Sequence, residues 1–251
     1  MKKVCRILVV GVLVLVLTHV VHALTLDKIL QYRQITFSSA KIPAQMDGYL
    51  IAFVVDTHQM SSDDLVLVVS ELNTRGVDLL LLGGDFRSSE RTPLQTMDIL
   101  SRVHTTDGIF GIEGNHDWYQ TLFAAMEACG ITPLSNEGVH IREGFYLGGV
   151  EELWNRRPDV AMAINGAEPD DFTLLLAHNP DLTMLQDTTG VDLILSGHTH
   201  GGQMTFLGWW APYFTFDNGI TAYGQRFRSG WSQSRDSTPV YVSNGAGDYF
   251  P

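Results

Sequence analysis

The sequence is poor in cysteine and in positive charge. Its two cysteines, Cys5 and Cys129, lie far apart, and Cys5 falls in the N-terminal segment, so no disulfide framework is expected. Lysine and arginine number 16 against 28 aspartates and glutamates, and no run of five basic residues occurs. Because the phosphates of duplex nucleic acid are bound by clustered Lys and Arg, this shortage argues against duplex nucleic acid as a partner.

Repeats, low-complexity segments and linkers are also absent. Hydrophobic residues make up 45% of the chain and charged residues 18%, a balance typical of globular rather than disordered proteins. A chain of 251 residues is long enough for one large domain or two small ones. Because no linker divides it, we predict a single domain over residues 24–251 that follows an N-terminal segment over residues 1–23.

One long apolar run is present, at the N-terminus, in MKKVCRILVVGVLVLVLTHVVHA. Basic residues precede an apolar stretch from Ile7 to Leu17, and Val21-His22-Ala23 resembles a signal-peptide cleavage pattern. Extended to Leu26, the segment also has the length of about 20 residues that an uncleaved membrane anchor requires. A signal peptide and an anchor both remain open. Either one predicts an exported or membrane-anchored domain outside the cytoplasm, since the basic residues stay inside.

After this segment, short apolar runs that end in polar, glycine-rich corners alternate with helical patterns. Continuous apolar runs of four to six residues are typical of strands that are covered on both faces, which indicates an α/β fold. We predict strands at 50–55, 77–82, 108–113, 172–177 and 191–196, a strand and turn at 239–247, helices at 61–76, 93–104 and 119–130, and a hairpin at 138–150.

Polar side chains follow five of these apolar runs. One histidine at a strand end is most often a solvated turn residue, but five strand ends that share this feature favour a common site. Since ligands bind at the carboxyl ends of strands in α/β sheets, we expect these groups to meet at one rim of the fold. The set consists of Asp56, His58, Asp85, Asn115, His116, His178, His198 and His200.

The chemistry of this set points to metal ions. Imidazole and carboxylate groups without cysteine suit divalent Mn, Fe, Zn, Co or Ni, and suit Ca less well. Eight candidate groups are too many for one tetrahedral zinc. They match two divalent metal ions that share a bridging carboxylate, an arrangement used for in-line displacement at phosphorus by a metal-bound hydroxide. The pattern therefore predicts a phosphate ester as the substrate.

The motifs DTH, GGDF, GNHD, AHNPD and SGHTHGGQ occur in this order. Together they resemble the calcineurin-like metallophosphoesterases, in particular the bacterial branch with an N-terminal signal or membrane segment. The lead-in KIPAQMDGYLIAFVVDTH and the segment GGVEELW are similar to that branch as well, and the resemblance covers roughly residues 35–251. It implies a four-layer α/β/β/α sandwich of the metallo-dependent phosphatase type.

The resemblance also implies a role for each residue of the set. His116 would face the leaving-group oxygen as general acid or charge stabiliser, with Asp117 orienting its ring. Asp85 would bridge the two cations. The remaining ligands would be Asp56, His58 and His200 for the first cation, and Asn115, His178 and His198 for the second.

The glycines of SGHTHGGQ have an expected purpose. We expect a strand-like alternation to place His198 and His200 on the same side of the chain, one toward each cation. Gly201-Gly202 would then let the backbone turn without crowding the ions.

Two departures from the family pattern stand out. Ser88 occupies the position where the family has Asp or Asn, which predicts a weaker supporting hydrogen bond, and Arg87 beside it is either an exposed residue or a contact to substrate phosphate. The family continues with a further strand after the VSNGAG turn, whereas this chain ends at Pro251, so we expect a shortened C-terminus with an exposed sheet edge.

The substrate class is less closely defined than the chemistry. The aromatic segment FLGWWAPYFTF at 206–216 is either a packing cluster or an apolar lip for an acyl chain or a membrane surface, and Trp118 and Trp154 are possible additions to it. The leading hypothesis is a metal-dependent phosphoesterase. The alternatives are a lipid hydrolase similar to UDP-2,3-diacylglucosamine pyrophosphatase, which the predicted side of the membrane disfavours, and a catalytically weak metal-binding protein.

Overall fold

The computed structural model describes residues 2–25, 30–202, 205, 211 and 220–247. Over these residues the helices are α1 (Lys2–Thr25), α2 (Ser62–Arg75), α3 (Pro93–Leu100), α4 (Tyr119–Ala128), α5 (Val160–Ala163) and α6 (Leu182–Leu185). The strands are β1 (Ile51–Val54), β2 (Leu79–Leu82), β3 (Ile109–Gly111), β4 (Thr132–Pro133), β5 (Glu137–Arg142), β6 (Phe145–Gly149), β7 (Phe172–Leu176), β8 (Leu193–Ser196), β9 (Gly230–Gln233) and β10 (Pro239–Val242).

Local sequence signals set the ends of the helices. α2 follows Ser61, whose side chain accepts a hydrogen bond from the amide of Asp64, and it ends before Gly76, whose φ of 67° is one that glycine adopts readily. α3 ends at Leu100, earlier than predicted, because the amides of Arg102 and Val103 bond to carbonyls three residues back, in tighter turns than those of an α-helix.

The strands form two sheets. The first has the order β1-β2-β3-β4 with every neighbouring pair parallel. The second has the order β5-β6-β7-β8-β10-β9, in which β6, β7, β8 and β10 are parallel and the two outer strands are antiparallel to their neighbours. The parallel strands of each sheet therefore end at a common edge, where the chain leaves each strand with polar residues.

Three apolar cores hold the layers together. On one face of β2, Leu80 and Leu82 pack against α2, α3 and α4. On its other face, Leu79 and Leu81 pack against the second sheet, including Leu174 of β7. The outer face of the second sheet packs against α5 and α6. The resulting order of helices, sheet, sheet and helices confirms the predicted four-layer α/β/β/α sandwich.

The N-terminal helix α1 differs from the other helices in its exposure. Among the described residues it is the one helix long and apolar enough to cross a membrane, and none of its apolar window is buried against the rest of the protein. A signal sequence near the N-terminus has the same properties, so the helix is compatible with both of the predicted roles.

Candidate metal centre

The carboxyl ends of five strands meet at one edge of the two sheets. Asp56 and His58 follow β1, while His198 and His200 follow β8. The two sheets are joined across this edge by the backbone amide of His198, which donates to Oδ2 of Asp56 over 2.9 Å. The ring of His178, after β7, similarly donates from Nδ1 to a carbonyl beside β2 over 2.8 Å. The predicted polar residues therefore come together, as the pattern of strand ends indicated.

One cluster lies between β1, β2 and β8. One potential metal-ligand atom, a ring nitrogen or a carboxylate oxygen, from each of Asp56, His58, Asp85 and His200 lies within 4.8 Å of the other three. Nε2 of His58 is 3.1 Å from Nε2 of His200 and 3.4 Å from Oδ2 of Asp85. Oδ1 of Asp56 is 3.7 Å from Nε2 of His200 and has no hydrogen-bond partner within the described structure. Since a buried carboxylate oxygen is rarely left without a partner, this atom fits a cation as its partner.

A second cluster shares Asp85 with the first. Oδ1 of Asn115 lies 2.8 Å from Nδ1 of His198 and 3.1 Å from Nε2 of His178. Oδ2 of Asp85, which faces His58 in the first cluster, is also 3.3 Å from Nε2 of His178. This single carboxylate oxygen therefore lies between both groups of donor atoms, the place that a bridging ligand would occupy.

Backbone carbonyls orient two of the imidazoles. The carbonyl of Gly83 accepts from Nδ1 of His178 over 2.8 Å, and the carbonyl of Ile220 accepts from Nε2 of His198 over 2.9 Å. A carbonyl can only accept, so each of these ring nitrogens carries a proton. The other nitrogen of each ring faces Oδ1 of Asn115, and in the neutral ring its lone pair would be available to a metal ion.

The electrostatics of the site divide its histidines into two kinds. Burial lowers the pKa of His58 to about 4 and the pKa of His198 and of His200 to about 3, so these rings are neutral at pH 7. Burial acts in the same direction on His178, but the charge and hydrogen bond of Asp85, the charge of Asp56 and the Gly83 carbonyl together outweigh it and raise the pKa of His178 to about 10. Without a metal ion this ring is therefore protonated, and binding of a metal ion to it would release a proton. Neutral ring nitrogens that face one another and a carboxylate form a binding site for a divalent metal ion.

His116 and Asp117 lie between the two loops that follow β2 and β3. The backbone amide of His116 donates to Oδ1 of Asp85 over 2.9 Å, and its ring centroid is 5.4 Å from that of His58. The Asp117 carboxylate accepts hydrogen bonds from the amides of Asp85, Phe86, Arg87 and Gly114 at 2.7 to 3.1 Å, so it joins the two loops.

The expected strand-like alternation at SGHTHGGQ is wrong, although the backbone does turn at the two glycines. β8 ends at Ser196, and His198 and His200 have φ values of 70° and 48°, which are left-handed and not extended. Gly201 and Gly202 also have positive φ, at 62° and 91°. A Cβ on Gly202 would lie 2.4 Å from the Cβ of Ala211, so this tight loop requires glycine.

Three residues without a predicted role support the site. The Asn155 side chain donates to the backbone carbonyl of Asn115 over 3.0 Å. The Glu152 carboxylate accepts hydrogen bonds from the backbone amides of residues 154 and 155. The Asp181 carboxylate accepts a hydrogen bond of 2.8 Å from the amide of Ala222 and so holds the segment that contains the Ile220 carbonyl. The motifs GGVEELW and AHNPD contained Glu152 and Asp181, but only the tertiary contacts reveal what these carboxylates do.

The two unusual residues of the GGDF loop have partners of their own. The Ser88 hydroxyl lies 3.5 Å from the side-chain oxygen of Gln59, outside the two clusters of donor atoms. The Arg87 guanidinium stacks over the ring of Trp118, with 4.9 Å between its central carbon and the ring centroid. Apart from Ala211, the aromatic segment 206–216 lies outside the described residues.

The chain belongs to the calcineurin-like phosphoesterase family, since the model of that family matches residues 49–202. It is 30% identical over 210 residues to an uncharacterised metallophosphoesterase of Helicobacter pylori, covering 78% of this chain and 54% of that protein. It is 29% identical over 226 residues to the metallophosphoesterase YkuE of Bacillus subtilis, covering 84% and 77%.

One longer relative is named as a transmembrane protein. The chain is 29% identical over 236 residues to a Bos taurus transmembrane protein with a metallophosphoesterase domain, covering 83% of this chain and 51% of that protein. The chain thus spans about half the length of several curated relatives that it matches.

A solved crystal structure shares the fold. It matches with a TM-score of 0.53 at 11% identity, covering 79% of this chain and 90% of the other. At this identity the likeness concerns the fold alone.

Proposed function

We propose that the chain hydrolyses phosphate esters at a centre that holds two divalent metal ions. The observation that carries this proposal is the shared oxygen of Asp85, which lies 3.4 Å from a donor atom of one cluster and 3.3 Å from a donor atom of the other. The first ion would be held by Asp56, His58 and His200, and the second by Asn115, His178 and His198, with Asp85 common to both.

The donor atoms indicate the kind of ion and its chemistry. Imidazole nitrogens with carboxylate and amide oxygens suit Mn, Fe, Zn, Co or Ni. Two such ions would neutralise charge on the phosphoryl oxygens and supply a nucleophile from water at neutral pH. The ring of His116 lies beside the first cluster, where a general acid would protonate the leaving-group oxygen. Asp117 would act by holding the loops of Asp85 and His116 in register.

The proposal includes the arrangement of the chain at a membrane. Residues 1–23 would be the signal peptide or anchor, and residues 24–251 the phosphoesterase domain outside the cytoplasm. Lys2, Lys3 and Arg6 support this side, because basic residues next to a membrane segment stay in the cytoplasm. Protease added to intact bacterial cells that express the chain should digest the domain, whereas a domain on the inner side would be digested only after lysis.

Metal analysis with turnover tests the centre itself. The purified chain should bind two equivalents and hydrolyse a nitrophenyl phosphate monoester or diester. His200→Ala and His198→Ala should each retain one equivalent, bound by a different set of ligands, and both should lose most activity. His104→Ala, an exposed histidine outside the clusters, is the matched control and should retain both ions. Two equivalents in both folded variants would exclude these histidines as ligands.

A catalytically weak metal-binding protein is the alternative outcome of the same experiment. It would show the predicted metal content in the wild type and in each variant, but no hydrolysis of any phosphate ester with any of the five metals.

A further inference from the structure

Trp154 lies directly beside the second cluster. Its ring centroid is 4.6 Å from that of His198, and the two planes meet at 83°, an edge-to-face contact. The indole is nevertheless 48% exposed. A large apolar ring therefore faces solvent within van der Waals range of a proposed metal ligand.

The loop after β6 is built to hold this ring in place. The Glu152 carboxylate, itself 1% exposed, accepts the amides of Trp154 and Asn155, both over 2.8 Å. The Asn155 side chain donates in turn to the carbonyl of Asn115 over 3.0 Å. Trp154 is thus tied through its own backbone to a buried carboxylate, and through its neighbour to another proposed ligand. Such an arrangement orients a side chain before any ligand arrives.

The other exposed tryptophans within the described residues differ in their surroundings. Trp118 is 67% exposed, but the Arg87 guanidinium stacks on its ring. Trp231 is 47% exposed on the edge strand β9, where it stacks on Phe37 with 5.9 Å between centroids. Among the described residues, neither ring contacts a proposed metal ligand. Trp154 combines exposure with such a contact, and Trp231 offers a control of nearly equal exposure.

We propose that Trp154 forms a wall of the substrate pocket on the side of the second ion, and that it binds the flat, apolar group of a phosphate ester whose phosphoryl group lies at the metals. This inference rests on the proposed function. Flat rings gain from contact with an indole through dispersion and apolar burial, whereas a methyl group covers little of its face. The preferred substrate class is therefore an aryl or heteroaromatic ester over a short alkyl ester.

Binding of two phosphonates that cannot be hydrolysed tests the wall without turnover. The full chain, purified in detergent and loaded with Mn²⁺, is titrated calorimetrically with phenylphosphonate and with methylphosphonate. The wild type should bind the phenyl compound about tenfold more tightly, as expected for one ring stacked on an aromatic side chain. Trp154→Leu, which keeps apolar packing on His198, should lose most of that ratio, and Trp154→Phe should restore part of it. Trp231→Leu should leave the ratio unchanged.

Several results would overturn the inference. A wild type with equal affinity for both phosphonates would do so without reliance on any variant being folded. An unchanged ratio in Trp154→Leu would do so as well. Loss of bound metal, with both affinities falling equally, would show that Trp154 only supports His198. A wild type that prefers phenylphosphonate yet hydrolyses no ester would refute the proposed activity instead, so the two failures are distinguishable.

Discussion

Five of the proposed ligands hold backbone conformations that L-amino acids rarely adopt. Asp56, His58, Asp85, His198 and His200 have φ values of 53°, 32°, 60°, 70° and 48°. The left-handed region costs about 1–2 kcal/mol for a residue with a Cβ, so these positions store strain. Such strain persists where the surrounding structure requires a particular direction of a side chain, and here it directs donor atoms toward the centre of the site.

The backbone strain at His198 can be measured by comparing the stability of glycine and alanine variants at this position. In the metal-free protein His198→Gly should be more stable than His198→Ala by about 1 kcal/mol, because neither variant keeps the imidazole and only glycine tolerates a φ of 70°. Urea unfolding of both variants gives the difference. Ser70, inside α2, is the control position. There Ser70→Ala should be more stable than Ser70→Gly by about 1 kcal/mol, because glycine is the poorer helix former. Equal stability of the two His198 variants would show that the position is not strained.

His116 should separate chemistry from metal binding. His116→Ala should retain both metal equivalents while turnover falls by about 10²–10⁴-fold for alkyl phosphate esters, the contribution of a positioned general acid. The loss should be smaller for nitrophenyl esters, since a good leaving group needs less protonation. A pair of leaving groups with different basicity, assayed on wild type and variant, makes the comparison. The same loss for both would remove the role of general acid.

The buried histidines should make the metal-free protein sensitive to acid. Imidazoles in the unfolded chain titrate near 6.5, whereas burial lowers the pKa of His58 to about 4 and of His198 and His200 to about 3. Between these values the unfolded state binds more protons at these three positions, so their contribution to stability is complete above pH 6.5 and falls as pH drops toward 4. Asp56 and Asp117, whose pKa values burial raises to about 7, and Glu113, whose pKa burial also raises, act in the opposite direction and offset part of this fall. His178 changes the stability only above pH 6.5, because its pKa is raised to about 10, and its stabilising contribution is lost as the pH rises through this range.

Urea unfolding of the chelator-treated protein at pH 7, 6 and 5 checks this sign. His200→Gln is measured beside the wild type. The variant lacks one group that takes up a proton on unfolding, so its free energy of unfolding relative to the wild type should rise toward pH 5 by up to about 1.4 kcal/mol per pH unit. A difference between the two proteins that does not change with pH would contradict the lowered pKa of His200.

The identity of the polar groups in the site could be predicted from the sequence, but their geometry could be predicted only in part. His58, His178 and the other donor residues were predicted because each follows a buried apolar run. The conformation of His198 was not, since side chains alternate only within a strand and β8 ends two residues earlier. The function of Asp117 depends on amides from two loops about 30 residues apart, which no local pattern records.

The backbones of two loops approach each other closely at the carboxylate of Asp85. A Cβ on Gly114 would lie 2.2 Å from Oδ1 of Asp85 and 2.5 Å from its backbone nitrogen. Gly114 does not have positive φ, so an alanine there would act by crowding Asp85 and not by backbone strain. The loops after β2 and β3 therefore meet at a glycine that leaves room for the ligand.

Gly114→Ala should lower turnover by about 10²-fold and reduce bound metal, because a displacement near 1 Å at a catalytic group has effects of this size. Gly130→Ala is the matched control. Its φ is 74°, and an added Cβ would meet no atom within 4 Å, so it should lose about 1 kcal/mol of stability and keep full metal content. Elemental analysis and turnover on both variants make the test. A fully active Gly114→Ala would show that Asp85 tolerates the shift.

Elements marked by an apolar run or by caps were predictable, and elements without these signals were not. The strand prediction at 77–82 contains β2, and the helix prediction at 61–76 contains α2 with its Ser61 cap and Gly76 end. β4 and β9 lack the continuous apolar run that marks β2, and α5 and α6 are single helical turns, too short to show a period of 3.6 residues. Their positions are set by packing against longer neighbours, as β9 pairs with β10.

The site exists only in the assembled molecule. The amide of His198 and the carboxylate of Asp56 are 142 residues apart in sequence and join the two sheets. An alternating pattern of strands and helices predicts parallel sheets, but it does not tell how many sheets form or which strands end side by side. The resemblance to a known family supplied the division into two sheets, which hydrophobic patterning alone left undetermined.

The domain and its N-terminal helix should be separable. The apolar window of α1 is not buried against the rest of the protein, whereas Leu30 packs on the core beside α2 and Phe37 stacks on Phe172 with 5.8 Å between centroids. Deleting residues 2–29 should therefore leave the free energy of unfolding within about 0.5 kcal/mol while abolishing partition into membranes. Deleting residues 2–37 removes Leu30 and Phe37 and should destabilise the domain by about 1–3 kcal/mol. Urea unfolding and detergent phase separation measure the two effects, and equal stability of both deletions would show that the segment from residue 30 to 37 contributes nothing to the fold.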